Sequence, residues 1–428
     1  MQESAPVQSF GWVKILTLLV FAALLVFPMT DAWLNIIPRA RIHGMAERAA
    51  FPTFTPESWW NQKYQARFSQ WALKSGAFWS WSIRLSNELV YRLTGEISTD
   101  YGTSVQGGNE SYLWQMMYKA AFNRVQDPPR NLIRRAFTQF KELKEQMAAR
   151  NIPVVAVINP NLIFMYPELL PDKYHTARRM EKQSSYEVAQ EVIKELDAPV
   201  VDAAELLKSV QDDFPFRFFE PAGSHWNDIG SCIAARAVLR ELDRSWGRGF
   251  PALPCEDYEF RPTPEAHERD LVQIANLLFP ERLFRPTPYV RSRARQEFPE
   301  RKPKLLLIGT SFLFGLEKQF RKHFITDDTR LLFYYRQERK GGKGNFRNFA
   351  PSTLNWSEVL SMDGIILDIN ESGPAKLGYG FMRDALRYFD SLKADTTASE
   401  RKKKKKRKGM KTALASIELQ AEQRTVGD

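Results

Sequence analysis

The sequence predicts an α/β fold, a parallel sheet flanked by helices, behind an N-terminal helix apolar enough to anchor in a membrane. Two observations carry the sheet. Short apolar runs at 152–158, 198–202, 304–308, 330–334 and 364–369 alternate with amphipathic segments, the pattern of parallel strands covered on both faces. A chain of 428 residues with 43% apolar content can bury such a core. The anchor rests on the stretch from Ile15 to Met29, which carries no charge.

Residues 1–9 read as a short tail and 10–34 as the anchor. With Phe10 to Val13 in front, the apolar stretch is broken only by Lys14. Trp12 and Trp33 bracket it at a separation of roughly 31 Å at 1.5 Å per residue, close to a hydrocarbon thickness. Pro28-Met29-Thr30-Asp31-Ala32 is a poor small-residue cleavage site, so an uncleaved signal anchor is expected rather than a cleaved signal peptide. Lys14 precedes the span while Arg39 and Arg41 follow it, so charge does not set its orientation. Residues 35–130 read as a helical, aromatic lead-in, with Trp59, Trp60, Trp71, Trp79 and Trp81 as helix-packing aromatics or, alternatively, a sugar-facing surface.

From 131 to 392 the α/β pattern runs, with helices expected at 131–150, 177–196, 204–210, 228–242 and 375–392. The proline-rich stretch 251–288 reads as a surface excursion or cover. Residues 393–428 form a polybasic segment expected to be a solvated, disordered tail, or else an electrostatic attachment to anionic lipid. The net charge of +11 falls to +3 without the run from Arg401 to Lys408, so nucleic acid is not an expected partner. Two cysteines, Cys232 and Cys255, exclude a disulfide framework and a cysteine zinc site, and leave open a single bridge or a buried thiol. No phosphate loop, dinucleotide fingerprint or metal-ligand spacing occurs, so neither cofactor nor metal is expected.

The residues with chemistry sit at strand exits. Strand 304–308 runs into Gly309-Thr310-Ser311-Phe312, which sets the Ser311 hydroxyl at a strand-to-helix turn where a nucleophile is exposed and a helix N-terminus supplies N–H donors. The plainer reading is an N-cap. His225 lies in Gly223-Ser224-His225-Trp226-Asn227, and the plainer reading there is a packed His–Trp pair. His43, His175, His267 and His323 sit among charges and read as surface residues. Serine with histidine is the minimum for activating a hydroxyl toward acyl groups. Asn159 to Asn161, Asp368, Asn370 and Glu371 share the carboxyl ends of strands, where α/β sheets bind their ligands.

A His-Trp-Asn element ahead of a strand ending in Gly-Thr-Ser-Phe, behind an N-terminal anchor, resembles the alginate O-acetyltransferase group (AlgJ/AlgX-like) of SGNH-hydrolase-fold proteins, in which the histidine likewise precedes the serine. Val105-Gln106-Gly107-Gly108 with Tyr112-Leu113-Trp114 is similar to the family's turn before its first domain. Pro160-Asn161, followed by Tyr166-Pro167-Glu168-Leu169-Leu170-Pro171, is similar to its first strand exit. The resemblance covers Ala46 to Leu392.

The resemblance implies a single-pass inner-membrane protein with a periplasmic domain that acetylates a cell-surface polysaccharide, with acetyl supplied by a membrane-embedded acyltransferase. It implies Ser311 as nucleophile and His225 as base. Where the family pattern places aspartate two residues before the histidine, this chain has Gly223. Glu220, Asp228, Asp368 or a backbone carbonyl are then the candidates to orient the imidazole. For the oxyanion, the candidates are the Ser311 N–H, Asn370 and Asn161. Two further readings remain open: an acetyl esterase, and a non-catalytic polysaccharide-binding or scaffold protein of an export complex, the latter favoured by Gly223.

Overall fold

The computed structural model describes residues 10–43, 50–98, 104–293, 302–342 and 344–394. The tail 1–9 and the polybasic run at 401–408 lie outside the described residues.

Helix α1 (Phe10–Leu34) is long and apolar enough to cross a membrane. Its last turns pack on the rest of the chain, where Asp31 and Ala32 are buried. Helices α2 (Pro56–Trp60), α3 (Lys63–Ser75) and α4 (Ala77–Thr94) follow. Thr55 and Ser58 cap α2 reciprocally, and Gly95, at φ +71°, ends α4 in the left-handed region that glycine adopts without steric cost. The lead-in then forms an antiparallel sheet of Glu96–Ser98, Ser104–Gly107 and Leu113–Gln115. Strands this short carry no readable period, which is why the sequence predicted helix alone here.

The central sheet has seven strands: β1 (Val154–Asn159), β2 (Val200–Asp202), β3 (Lys304–Gly309), β4 (Asp328–Phe333), β5 (Gln337–Lys340), β6 (Arg347–Asn348) and β7 (Gly364–Asn370), in the order β6-β5-β4-β3-β7-β1-β2. The five strands from β4 to β2 are parallel, and β5 and β6 extend one edge antiparallel. Successive residues of a strand face opposite sides, and both sides are apolar here. Val155, Val157, Leu305, Leu307 and Ile366 face one core with α7 (Asp228–Trp246) and α9 (Leu313–Lys322). Val154, Ala156, Ile158, Leu306, Ile308, Ile365 and Leu367 face the other with α5 (Arg130–Ala148), α6 (Ser185–Leu196) and α10 (residues 381–394).

Two helices start later than their periodicity suggested. Helix α6 begins at Ser185 because Ser184 and Glu187 form a capping box, each side chain taking the other's amide, at 3.1 and 2.7 Å. Residues 374–380 form a tight turn with Gly378 at φ +69°, so α10 starts only at 381. His323, read as a surface residue, is buried, and its environment lowers its pKa to about 4, mainly by desolvation.

Cys232 and Cys255 are joined in a disulfide that ties α7 to the segment 251–288. That segment is a folded cover. It contributes the antiparallel pair Tyr258–Arg261 and Thr287–Val290 and helix α8 (Asp270–Ala275).

Candidate active site

Strand β3 delivers Ser311. At Gly309 a Cβ would lie 1.5 Å from Asp368 Oδ1, so no side chain fits between the exits of β3 and β7. Asp368 uses that approach to hold the turn. Its carboxylate accepts from the Thr310 amide at 2.5 Å, the Thr310 hydroxyl at 2.6 Å and Asn159 Nδ2 at 2.5 Å. Burial pushes its pKa up to about 7, against the pull of these donors.

The Gly223–Asn227 segment delivers His225, and each neighbour has a task. Trp226 is wholly buried, with its ring edge-on to Phe312 at 5.0 Å. Asn227 caps α7 by accepting from the Gly230 amide at 3.0 Å. Held this way, His225 Nε2 lies 2.6 Å from Ser311 Oγ.

On the far side of the ring, Nδ1 lies 3.2 Å from Asp270 Oδ2. Asp270 is the first residue of α8, in the cover. Ser224 fixes it with its amide on Oδ1 at 2.8 Å and its hydroxyl on Oδ2 at 2.7 Å. Burial alone would raise Asp270, but the adjacent His225 and the Ser224 donors hold it below the usual carboxylate range. An ionised carboxylate only accepts, so Nδ1 carries the proton and Nε2 turns its lone pair to the Ser311 hydroxyl.

None of the three carboxylates named from sequence makes this contact. Asp228 pairs with Lys318 at 2.7 Å and Lys322 at 3.4 Å and accepts from the Val290 amide at 2.9 Å. Glu220 takes Asn227 Nδ2 at 3.1 Å and is raised to about 7 by burial. Asp368 serves the serine turn. Gly223 is explained by the same packing, since a Cβ there would meet Glu268 O at 2.5 Å. The main chain leading to Asp270 occupies the place of a side chain at 223. Sequence reasoning missed Asp270 because this pairing joins segments 45 residues apart through a tertiary contact; its one local signal, an acid at the start of a short helix, is common.

The two asparagines divide. Asn161 is committed, with Nδ2 on Glu371 Oε1 at 2.5 Å and Oδ1 on the Phe164 amide at 2.9 Å. Asn370 accepts from Ser372 through Oδ1, while its buried Nδ2 has no hydrogen-bond partner among the described residues. Asn370 is the last residue of β7, which pairs with β3, the strand whose exit leads into the Ser311 turn. Tyr334, at φ +50°, stands by the serine, whose hydroxyl holds the phenol's pKa down against a larger rise from burial. Its ring meets Tyr379 edge-on at 5.0 Å. Beside this centre lies a cavity of about 400 Å³ whose lining includes Tyr118, Asn161, Phe164, Lys208 and Glu371. Among the described residues no three His, Cys, Asp or Glu side chains converge as metal ligands.

Residues 115–324, which include Ser311, His225 and Asp270, match a family model described as the SGNH hydrolase-like domain of the acetyltransferase AlgX. Over these residues the chain is similar to that domain. Among solved structures, the O-acetyltransferase domain of Pseudomonas putida AlgJ is 13% identical, with a TM-score of 0.39 over 64% of this chain and 92% of that one. Pseudomonas aeruginosa AlgX is 11% identical, with a TM-score of 0.37 over 64% and 67% of the two chains. Bacillus cereus PatB1, solved with a sulfonyl adduct, is 10% identical, with a TM-score of 0.36 over 63% and 97%. No curated protein sequence matches.

Proposed function

We propose that the chain is a membrane-anchored O-acetyltransferase that carries an acetyl group on Ser311 and passes it to a hydroxyl of a cell-surface polysaccharide. The observation that carries this reading is the continuous Asp270–His225–Ser311 chain of contacts. In the first half-reaction Ser311 Oγ attacks the acetyl carbonyl as His225 Nε2 takes its proton. The tetrahedral oxyanion is received by the Ser311 N–H and Asn370 Nδ2, each such donor being worth about 3 kcal/mol where it has been measured. The donor's leaving group departs with the proton from His225. In the second, a sugar hydroxyl gives its proton to Nε2, attacks the acyl-serine, and Ser311 leaves reprotonated.

Asp270 keeps the imidazole in the tautomer both halves need and stabilises the imidazolium. The non-catalytic alternative drew its support from the glycine at 223, and Asp270 removes that support. The donor is a membrane-embedded acyltransferase, met through the α1 anchor, and the Cys232–Cys255 bridge favours an oxidising, periplasmic setting.

Incubation of the full chain with 4-nitrophenyl acetate followed by intact mass measurement tests the reading. A gain of one acetyl group, absent in Ser311→Ala, is expected, and addition of an oligosaccharide should move the acetyl to sugar rather than to water. Full acetyl transfer by Ser311→Ala overturns the proposal.

A further inference from the structure

Helix α4 is amphipathic in the reverse of the usual sense for a water-facing helix. Three of its polar side chains turn inward onto the cover, while Ser82, Ser86, Arg92 and Thr94 stay exposed: Asn87 Nδ2 donates to Ala275 O at 2.8 Å, Arg84 Nη1 to Leu277 O at 3.3 Å, and the buried Glu88 accepts from the Phe279 amide at 3.3 Å. Four large apolar side chains turn outward, while Ala77 is buried and Phe78, Trp79 and Ile83 are part-buried. Trp81, Leu85, Leu89 and Leu93 recur every fourth residue and are 40%, 49%, 52% and 84% exposed. Residues at this spacing lie on one helix face.

The depth of α4 relative to α1 is fixed by a buried carboxylate. Asp31, in the last turn of α1, accepts from the Phe78 amide of α4 at 3.1 Å and from the Ile37 amide at 2.9 Å. The first turn of α4 therefore starts at the level where α1 ends, the level of Trp33. Trp59 and Trp60 on α2 are exposed as well. Over the three helices α2 to α4 the charge is positive, with Lys63, Arg67, Lys74, Arg84 and Arg92 against Glu57 and the buried Glu88.

We propose that the outward stripe of α4 lies in the headgroup–acyl boundary of an anionic bilayer, beside the point where α1 enters it. Exposed leucines with a tryptophan, a basic surround and direct attachment to an apolar helix of spanning length suit a lipid interface. A protein partner would have to cover the same stripe without using that attachment. Since α4 grips residues 275–279, just past the helix that begins with Asp270, docking also fixes the height of the catalytic centre above the membrane.

The proposal rests on α1 being an anchor, and the test separates the two. The full chain carries a single nitroxide at Leu89→Cys, at Val20→Cys in α1, or at the exposed Glu142→Cys of α5; both native cysteines are in the disulfide, so each new thiol is the sole labelling site. In nanodiscs of phosphatidylglycerol and phosphatidylethanolamine, labels at 20 and 89 should favour oxygen over a water-soluble nickel chelate as relaxant, and the label at 142 should show the inverse ratio. A label at 89 that behaves like the one at 142, while 20 is in lipid, overturns the proposal. Shielding of 89 from both reagents places a protein surface there, such as a second copy, and overturns it equally. An aqueous label at 20 removes the anchor and this proposal together. The acyl-serine reading is untouched by any of these outcomes.

Discussion

In the proposed relay, placing an acid at position 223 should not replace Asp270, and the structure says by how much. A Cβ at Gly223 would lie 2.5 Å from Glu268 O, 2.6 Å from its carbonyl carbon and 3.0 Å from its Cα. All three are main-chain atoms, so Gly223→Asp forces residues 268–270 outward rather than rotating a side chain aside. Overpacking of this kind costs about 1–3 kcal/mol. The displaced segment carries Asp270, and a shift of about 1 Å at a catalytic group costs about 10²-fold in rate. Asp270→Asn is the complementary change. It keeps an oxygen for the Ser224 amide but cannot hold the His225 tautomer, and the corresponding loss in serine proteases is about 10⁴-fold. The pairing to measure is Asp270→Asn alone against Asp270→Asn with Gly223→Asp, by turnover of 4-nitrophenyl acetate and by thermal unfolding. The double variant should be no faster than the single and should melt lower. Rescue of turnover by aspartate at 223 would refute the packing argument and with it the role given to Asp270.

Asn370→Ala should slow acylation by about 10²–10³-fold with little change in melting, as expected for loss of an oxyanion donor. Asn161→Ala should instead lower the melting temperature, because it removes a cap and leaves Glu371 short of a donor. Stability should fall as pH rises from about 5 to 8: Asp368, Glu220 and Glu268, each raised to about 7, and Glu371, raised to about 8, bind protons in the folded state that the unfolded chain has released. Melting curves across that range should show the decline, and Glu371→Gln should flatten it. Reduction of Cys232–Cys255, a separation of 23 residues, should cost roughly 3 kcal/mol, read from denaturant midpoints.

The three central parallel strands were legible because each is buried on both sides. Residues 154–158, 304–308 and 364–369 have almost no polar position to blur the signal, and their ends mark the site. The edge strands Gln337–Lys340 and Arg347–Asn348 were not, being short and polar. Ser311 and His225 were legible as motifs, and the structure brings them to hydrogen-bond distance. The acid was not. Nothing local to Asp270 distinguishes it from any carboxylate at a helix start, and Gly223 was informative in the opposite sense from the one it suggested. It marks a close approach of backbone, which a one-dimensional reading takes for a deletion of function. The choice between Asn161 and Asn370 likewise depends on which amide is already occupied, a property of neighbours far away in sequence.

Asp270 has one more implication, because it belongs to the cover and not to the sheet. In the proposed relay Ser311 follows β3 and His225 precedes α7, whereas the carboxylate stands in the segment from Pro251 to Pro288, seated on the Ala222 carbonyl through the Leu271 amide at 3.1 Å. The contact of His225 Nδ1 with a carboxylate therefore needs that segment in place. The proposed reactivity of Ser311 thus depends on the seating of a segment outside the sheet as well as on the sheet itself.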